Sequence, residues 1–176
     1  MSQAFIDGQN LAYTTANARS PWTVDLKKFR VYLREKYKVS KAYYFLGVRL
    51  EKLEGLYKML EDSGYELIFR EHTPNAVSAK KGNVDTDIVF SIMKKLYKKE
   101  LTGKIILVSG DGDYWRMVEF LLKEKKFGKL LAPDRHAASS LYRQRMSDRY
   151  IDYLSAKDIK AKIKMSQARN KKAGSP

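Results

Sequence analysis

Apolar positions along the chain fall into short continuous runs separated by longer stretches in which they recur every three or four residues. The short runs are residues 4–7 (AFID), 42–46 (AYYFL), 66–70 (ELIFR), 104–108 (KIILV) and 129–132 (KLLA). A near-continuous run such as KIILV is what a strand needs when both of its faces are covered. Pro133 closes the last of these runs, because proline cannot donate to a ladder. Between the runs, residues 24–37, 51–62, 84–100, 114–126 and 137–146 carry helical spacing. In 24–37, Leu26, Phe29, Val31 and Leu33 fall mostly on one side. In 84–100, Ile88, Phe90, Ile92, Met93 and Leu96 are set against Lys94, Lys95, Lys98 and Lys99. Gly64 is a natural stop for the 51–62 helix. Residues 150–154 read as a further strand or an extended segment. Tyr43, Tyr44 and Tyr97 are expected in core or half-buried positions.

This alternation predicts an α/β domain with a central, mostly parallel sheet covered by helices on both faces. In such sheets, sites form outside the carboxyl ends of the strands. No internal repeat is visible. The sequence divides into a domain over residues 1–154 and a basic helix or tail over 155–176, with fraying expected from about Gln167. The latter segment holds seven Lys/Arg and one acid, Asp158. It reads either as an arm that grips a polyanion or as a solvated terminus.

Composition narrows the function classes. The chain has 176 residues, 44% of them hydrophobic, which suits one domain with a true core. It has no cysteine, so a disulfide scaffold, a zinc ribbon and cysteine catalysis are excluded. That fits a reducing cytoplasm. The start, MSQAFIDGQN, has no basic stretch and no long apolar run, so no secretory signal is expected. No segment approaches the ~20 apolar residues that span a bilayer. Lys and Arg total 35 against 20 Asp and Glu, a net charge of +15. A surplus of that size points to a polyanion partner such as nucleic acid.

Against this basic background, several aspartates fall where an apolar strand has just finished. Asp7 follows AFI, Asp111 and Asp113 follow IILVSG, and Asp85 and Asp87 open the 84–100 helix. A parallel sheet can bring these distant segments to one edge. Carboxylates so gathered repel one another unless a cation sits among them. Oxygen donors without His or Cys suit Mg²⁺ or Mn²⁺. Helix capping explains single aspartates equally well, least so for Asp7, which ends a strand in a glycine turn. Asp85 and Asp87 stand about 200° apart on a helix, so only one faces the site, and Asp85 is the favoured one. Asp113 precedes regular helix, so it can converge with Asp111.

Three segments in this order resemble the signatures of the NYN domain, in the LabA-like branch of the PIN-like nucleases. They are Phe5 to Asn10 (FIDGQN), Lys81 to Asp85 (KGNVD) and Val108 to Tyr114 (VSGDGDY). Residues 140–154 (SLYRQRMSDRYIDYL) are similar to the family's closing segment, so the resemblance spans about residues 3–154. It implies a three-layer α/β/α fold and a Mg²⁺ or Mn²⁺ site. On the matching positions, Asp7, Asp85, Asp111 and Asp113 would be the ligands. Asn10 would steady the site by hydrogen bonding, and Ser109 would orient Asp111 or a metal-bound water. The chain departs from the simplest pattern in carrying Asp87 beside Asp85, which leaves Asp87 as a further candidate ligand.

Other residues join the expected site more loosely. Lys80 and Lys81, just before Asp85, and Arg135, Arg143, Arg145 and Arg149 are candidate contacts to phosphate. Tyr13, Tyr114 and Trp115 neighbour the acidic motifs, where they either pack or stack on an unpaired base. The histidines, His72 and His136, are expected in loops or at the surface. The resulting expectation is a metal-dependent ribonuclease, endonucleolytic and cutting RNA to leave 5′ phosphates. The alternative is a module that holds RNA or a regulatory partner in the same pocket without cleaving it. A phosphotransferase with an aspartyl nucleophile would place a second Asp two residues after the first. Here Gly8 and Gln9 follow Asp7. The sequence leaves RNA versus DNA, endo versus exo cleavage and a possible homodimer open.

Overall fold

The computed structural model describes residues 1–70 and 84–166. Six parallel strands form one sheet: β1 (Ser2–Asp7), β2 (Val39–Leu46), β3 (Tyr65–Phe69), β4 (Ile105–Val108), β5 (Phe127–Ala132) and β6 (Ile151–Tyr153). Their spatial order is β3-β2-β1-β4-β5-β6. The segment at 150–154 is thus a true strand. The helices among the described residues are α1 (Gly8–Ala16), α2 (Leu26–Tyr37), α3 (Glu54–Asp62), α4 (Asp85–Tyr97), α5 (Trp115–Lys123), α6 (Ser140–Arg145) and α7 (Lys157–Ile163). None is long and apolar enough to cross a membrane.

The two-residue period of a strand sends alternate side chains to opposite faces, and the core divides accordingly. Phe5, Phe45, Leu107 and Leu130 pack on one face with Ile88 and Ile92 of α4, Val118 and Leu121 of α5 and Tyr142 of α6. Ala4, Ile6, Tyr44, Ile106, Val108 and Leu131 pack on the other with Leu11 of α1, Phe29 and Leu33 of α2, Leu60 of α3 and Ile159 and Ile163 of α7. The result is the three-layer α/β/α arrangement. β4 is buried along its whole length, as its sequence demands.

Local chemistry sets the element ends. Gly64 adopts φ +88° just past α3, the left-handed conformation that costs glycine least at a helix C-terminus. Asp25 caps α2, accepting from the Lys28 amide at 3.1 Å. The short helix after residue 155 is α7, whose Ile159 and Ile163 are buried and whose following residue, Lys164, bridges to Val24.

Four expectations need correcting. Residues 8–16 form a helix rather than a glycine turn. Tyr97, placed in or near the core by its aromatic character, is 89% exposed, and Phe90 is 65% exposed. Ile88 faces the sheet. At 100° per residue Phe90 lies about 200° from Ile88, and Tyr97 lies diametrically opposite it. Val31 is exposed for the same reason relative to Phe29.

Candidate metal centre

The sheet order reverses direction of winding between β1 and β4, and a crevice opens outside the carboxyl ends of strands at such a point. The aspartates converge there. Asp7 is the last residue of β1, Ser109 follows β4, and Asp85 is the first residue of α4. One carboxylate oxygen each from Asp85, Asp111 and Asp113 lies within 4.8 Å of the others. Asp85 is buried, Asp111 half-buried and Asp113 exposed, so the group grades from protein interior to solvent. A cleft of about 310 Å³ opens beside them, lined by Asp7, Gln9, Asn10, Tyr13, Val84, Asp85 and Asp111.

Asp7 lies in the same cleft but outside this triad. Its Oδ1 accepts the Asn10 amide at 2.9 Å and caps α1. Capping is therefore a firm role for Asp7, the aspartate for which the sequence made capping the weakest explanation. Gly8 makes the cap possible. A Cβ there would stand 2.3 Å from Tyr44 Cε1 and 2.8 Å from the Phe45 carbonyl oxygen. Only glycine lets α1 start this close to β2.

A residue whose part the sequence did not reveal holds the acids together. Tyr114 is fully buried. Its hydroxyl donates to Asp85 Oδ1 at 2.6 Å and reaches Asp7 Oδ2 at 3.1 Å. One phenolic proton thus sits between two carboxylates. Burial raises the Asp7 carboxyl above its ordinary value; the Asn10 amide opposes this, and the Asp85 charge adds to it. Burial and the same two acids push the Tyr114 phenol far up, so it remains a donor. The signal in the sequence is only a tyrosine after D-G-D. Its function depends on three elements meeting.

The loop from Ser109 to Asp113 is pinned at nearly every residue. Asn10 Oδ1 accepts from the Gly110 amide at 2.9 Å, tying α1 to the end of β4. Ser109, fully buried, accepts from the Asp111 amide at 3.1 Å. Asp111 Oδ1 accepts from the Asp113 amide at 3.0 Å. Tyr142 donates from its hydroxyl to the Asp111 carbonyl, and the Ser139 amide donates to Gly110 O at 2.9 Å. A loop so held presents its carboxylates without further ordering.

The donor set fits a hard divalent cation. All the candidate ligand atoms are carboxylate oxygens, and an ion about 2.1 Å from each of two opposed oxygens spans about 4.2 Å, inside the 4.8 Å within which the three oxygens lie. Asp87 is half-buried and outside the triad, as the helical angle requires. Tyr13 is 71% exposed at the rim of the cleft, whereas Trp115 is buried. Lys80, Lys81 and His72 lie outside the described residues. The four arginines are exposed, and none lines the acidic cleft. Arg143 donates to the carbonyls of Arg135 and Ala138, both at 3.1 Å. Arg149, which precedes β6, donates to the Tyr150 hydroxyl at 2.9 Å. Arg145 ends α6. Arg135 and the exposed His136 line a neighbouring pocket.

The NYN domain matches this chain over residues 3–154. The chain belongs to the NYN domain family. That family is one of PIN-like nucleases, and the match covers all six strands and the acids. Over 157 residues the NYN chain is 27% identical to the low amplitude and bright protein LabA of Synechococcus elongatus, covering 84% of this chain and 81% of LabA. A solved structure of a Vibrio parahaemolyticus protein of unknown function shares the fold, with a TM-score of 0.72 and 18% identity. That likeness covers 93% of this chain and 95% of the Vibrio protein.

Proposed function

We propose that this NYN protein is a metal-dependent ribonuclease that hydrolyses RNA phosphodiester bonds endonucleolytically. The observation that carries the reading is the convergence of the Asp85, Asp111 and Asp113 carboxylates beside an open cleft, in a chain of net charge +15. Asp85, Asp111 and Asp113 hold Mg²⁺ or Mn²⁺, with Asp7 completing the set from the cleft wall. Such an ion polarises a phosphodiester, lowers the pKa of water and steadies the leaving oxygen.

The chain's own residues do the rest. Tyr114 keeps Asp7 and Asp85 in place by setting its one hydroxyl proton between them, closer to Asp85. Ser109 and Asn10 fix the backbone that carries Asp111. Residues that orient ligands in this way typically govern affinity for the ion. The open cleft admits a strand rather than a small enclosed substrate, which suits cutting within a chain. Lysines and arginines elsewhere on this basic chain neutralise phosphates along the strand, so affinity falls as salt rises.

The test is cleavage of internally and end-labelled single-stranded RNA with Mn²⁺ or Mg²⁺, comparing wild type with Asp111→Asn. Metal-dependent internal cuts that fall by about a hundredfold or more in the variant are expected. A folded wild type that binds RNA and cuts none of a broad panel with either ion overturns the enzyme reading in favour of a binding module.

A further inference from the structure

A second concave site lies on the same edge of the sheet and has the opposite charge. It is a pocket of about 410 Å³ between the end of α1, the segment leaving β5 and the segment leaving β6. Arg19, Arg135 and Lys160 bring three cations to it, with His136 beside them. None of the three cations is ion-paired to a carboxylate among the described residues. The acid in the wall, Asp134, has its Oδ1 engaged by the His136 and Ala137 amides at 2.7 and 3.2 Å.

Two of the cations are held in position rather than left to wander. Arg135 lies over the Tyr153 ring at 5.6 Å. Lys160 Nζ lies over the Trp22 ring at 5.0 Å and donates to the Ser20 carbonyl at 3.4 Å. Cation–π contacts of this kind contribute about 0.5–1 kcal/mol at exposed sites, enough to bias a long side chain towards one orientation. Trp22 itself is buried, and its indole Nε1 has no hydrogen-bond partner among the described residues. Unpaired cations, pre-oriented around a concavity, fit a phosphate oxygen cluster.

The pocket is connected to the metal centre by α1. α1 packs on the same sheet face as α2 and α7. It begins at Asp7 in the acidic cleft and ends just before the Ala18–Ser20 wall of the basic pocket. Nine residues make it about 14 Å long, a span of a few nucleotides along a strand.

We propose that this pocket is a phosphate subsite that grips the RNA strand a few nucleotides from the metal centre. The assignment rests on the nuclease reading for its substrate and on the pocket's own charge for its chemistry. The ligand group is a phosphate, either an internal phosphodiester or the terminal phosphate of a nucleotide.

The test is fluorescence anisotropy of a labelled single-stranded RNA with EDTA present, so that cleavage plays no part. Full-length wild type, Arg135→Gln, Lys160→Gln and the charge-matched control Lys58→Gln are each titrated across a salt series. Lys58 is exposed on α3, which packs against β3 at the opposite edge of the sheet from β5 and β6. Each pocket variant is expected to weaken binding by roughly three- to tenfold and to lower the salt slope by about 0.7, one phosphate contact on a single strand. The control moves neither. Inorganic phosphate and a nucleoside 5′-monophosphate then compete at matched ionic strength. Displacement by either one, weakened in Arg135→Gln, assigns a terminal phosphate; displacement by neither assigns an internal one. Pocket variants that match Lys58→Gln overturn the proposal even if the protein cuts RNA. A wild type that shows the pocket-dependent slope but never cleaves leaves the pocket standing and overturns the nuclease reading. A wild type that binds no RNA overturns both.

Discussion

Replacing Tyr114 by phenylalanine removes one oxygen atom and leaves the ring packed where it is. What is lost is the proton shared between Asp85, at 2.6 Å, and Asp7, at 3.1 Å. A hydrogen bond to a charged group is worth about 1.5–3 kcal/mol. The single proton is counted once, because it cannot serve both acceptors fully. In a domain of this size each kcal/mol moves the melting temperature by about 2–4 °C, so Tyr114→Phe is expected to melt about 3–12 °C below wild type without divalent ions. The loss should extend to the ion. Groups that orient ligands typically change metal affinity by about 10–100-fold, so the Mn²⁺ concentration giving half-maximal thermal stabilisation should rise by that factor. Differential scanning fluorimetry over a Mn²⁺ series reads both quantities. Tyr142→Phe is the comparison, because its hydroxyl donates to the Asp111 backbone carbonyl and to no carboxylate. It should lower stability with a much smaller change in the Mn²⁺ midpoint. If Tyr114→Phe melts within about 1 °C of wild type and shows an unchanged midpoint, the hydroxyl does not organise the acids and the reasoning is refuted.

Two further outcomes follow from the same geometry. Asp85→Asn should weaken Mn²⁺ binding at least about tenfold by calorimetric titration, while Asp87→Asn, on the other side of α4, should change it little. Equal losses in the two would sink the assignment of Asp85 as the inward acid. The raised Asp7 carboxyl makes wild type, without divalent ions, lose stability as pH climbs from the ordinary carboxylate value near 3.8 through the higher folded value. The folded protein binds that proton more tightly than the unfolded chain does, so its contribution is complete at low pH and disappears above. Asp7→Asn lacks this dependence and keeps an amide oxygen for the cap. The melting temperature of the variant relative to wild type should therefore rise with pH across that window and then level off. A difference that is flat or falling over the window contradicts the assignment.

The strands and the acids were legible for different reasons. KIILV announces a buried strand because nothing polar interrupts it, and β4 is buried throughout. Helix geometry lets only one of Asp85 and Asp87 face the site, the family resemblance favours Asp85, and the structure buries Asp85 beside Asp111 and Asp113. The helix α1 was not legible. Its buried positions are Gly8, Leu11 and Thr15, so a helical stripe exists with only one large apolar residue to mark it. The useful signal was the aspartate three residues before Asn10, which caps the helix. Tyr114 escaped for another reason. Its hydroxyl matters because the ends of β1, α4 and β4 meet around it, and a pattern along the chain carries no record of that meeting. Tyr97 misled because aromatic character predicts burial on average, while its angular position on α4 decides otherwise.

The strand order has a consequence for how the protein is made. β1 lies between β2 and β4, so it pairs with β2 early in synthesis but waits for a neighbour about a hundred residues further on. Asp7 leaves the ribosome long before Asp85, Asp111 and Asp113 exist to join it. The loop that presents Asp111 is closed only by Tyr142 and Ser139, later still. Non-local parallel pairing of this kind forms slowly compared with local contacts. A growing chain therefore carries the first acid without the other three, and the acidic cluster appears only when the sheet is nearly complete. The site is therefore assembled only once the chain has been made at least as far as Tyr142, whatever the first strand has already paired with.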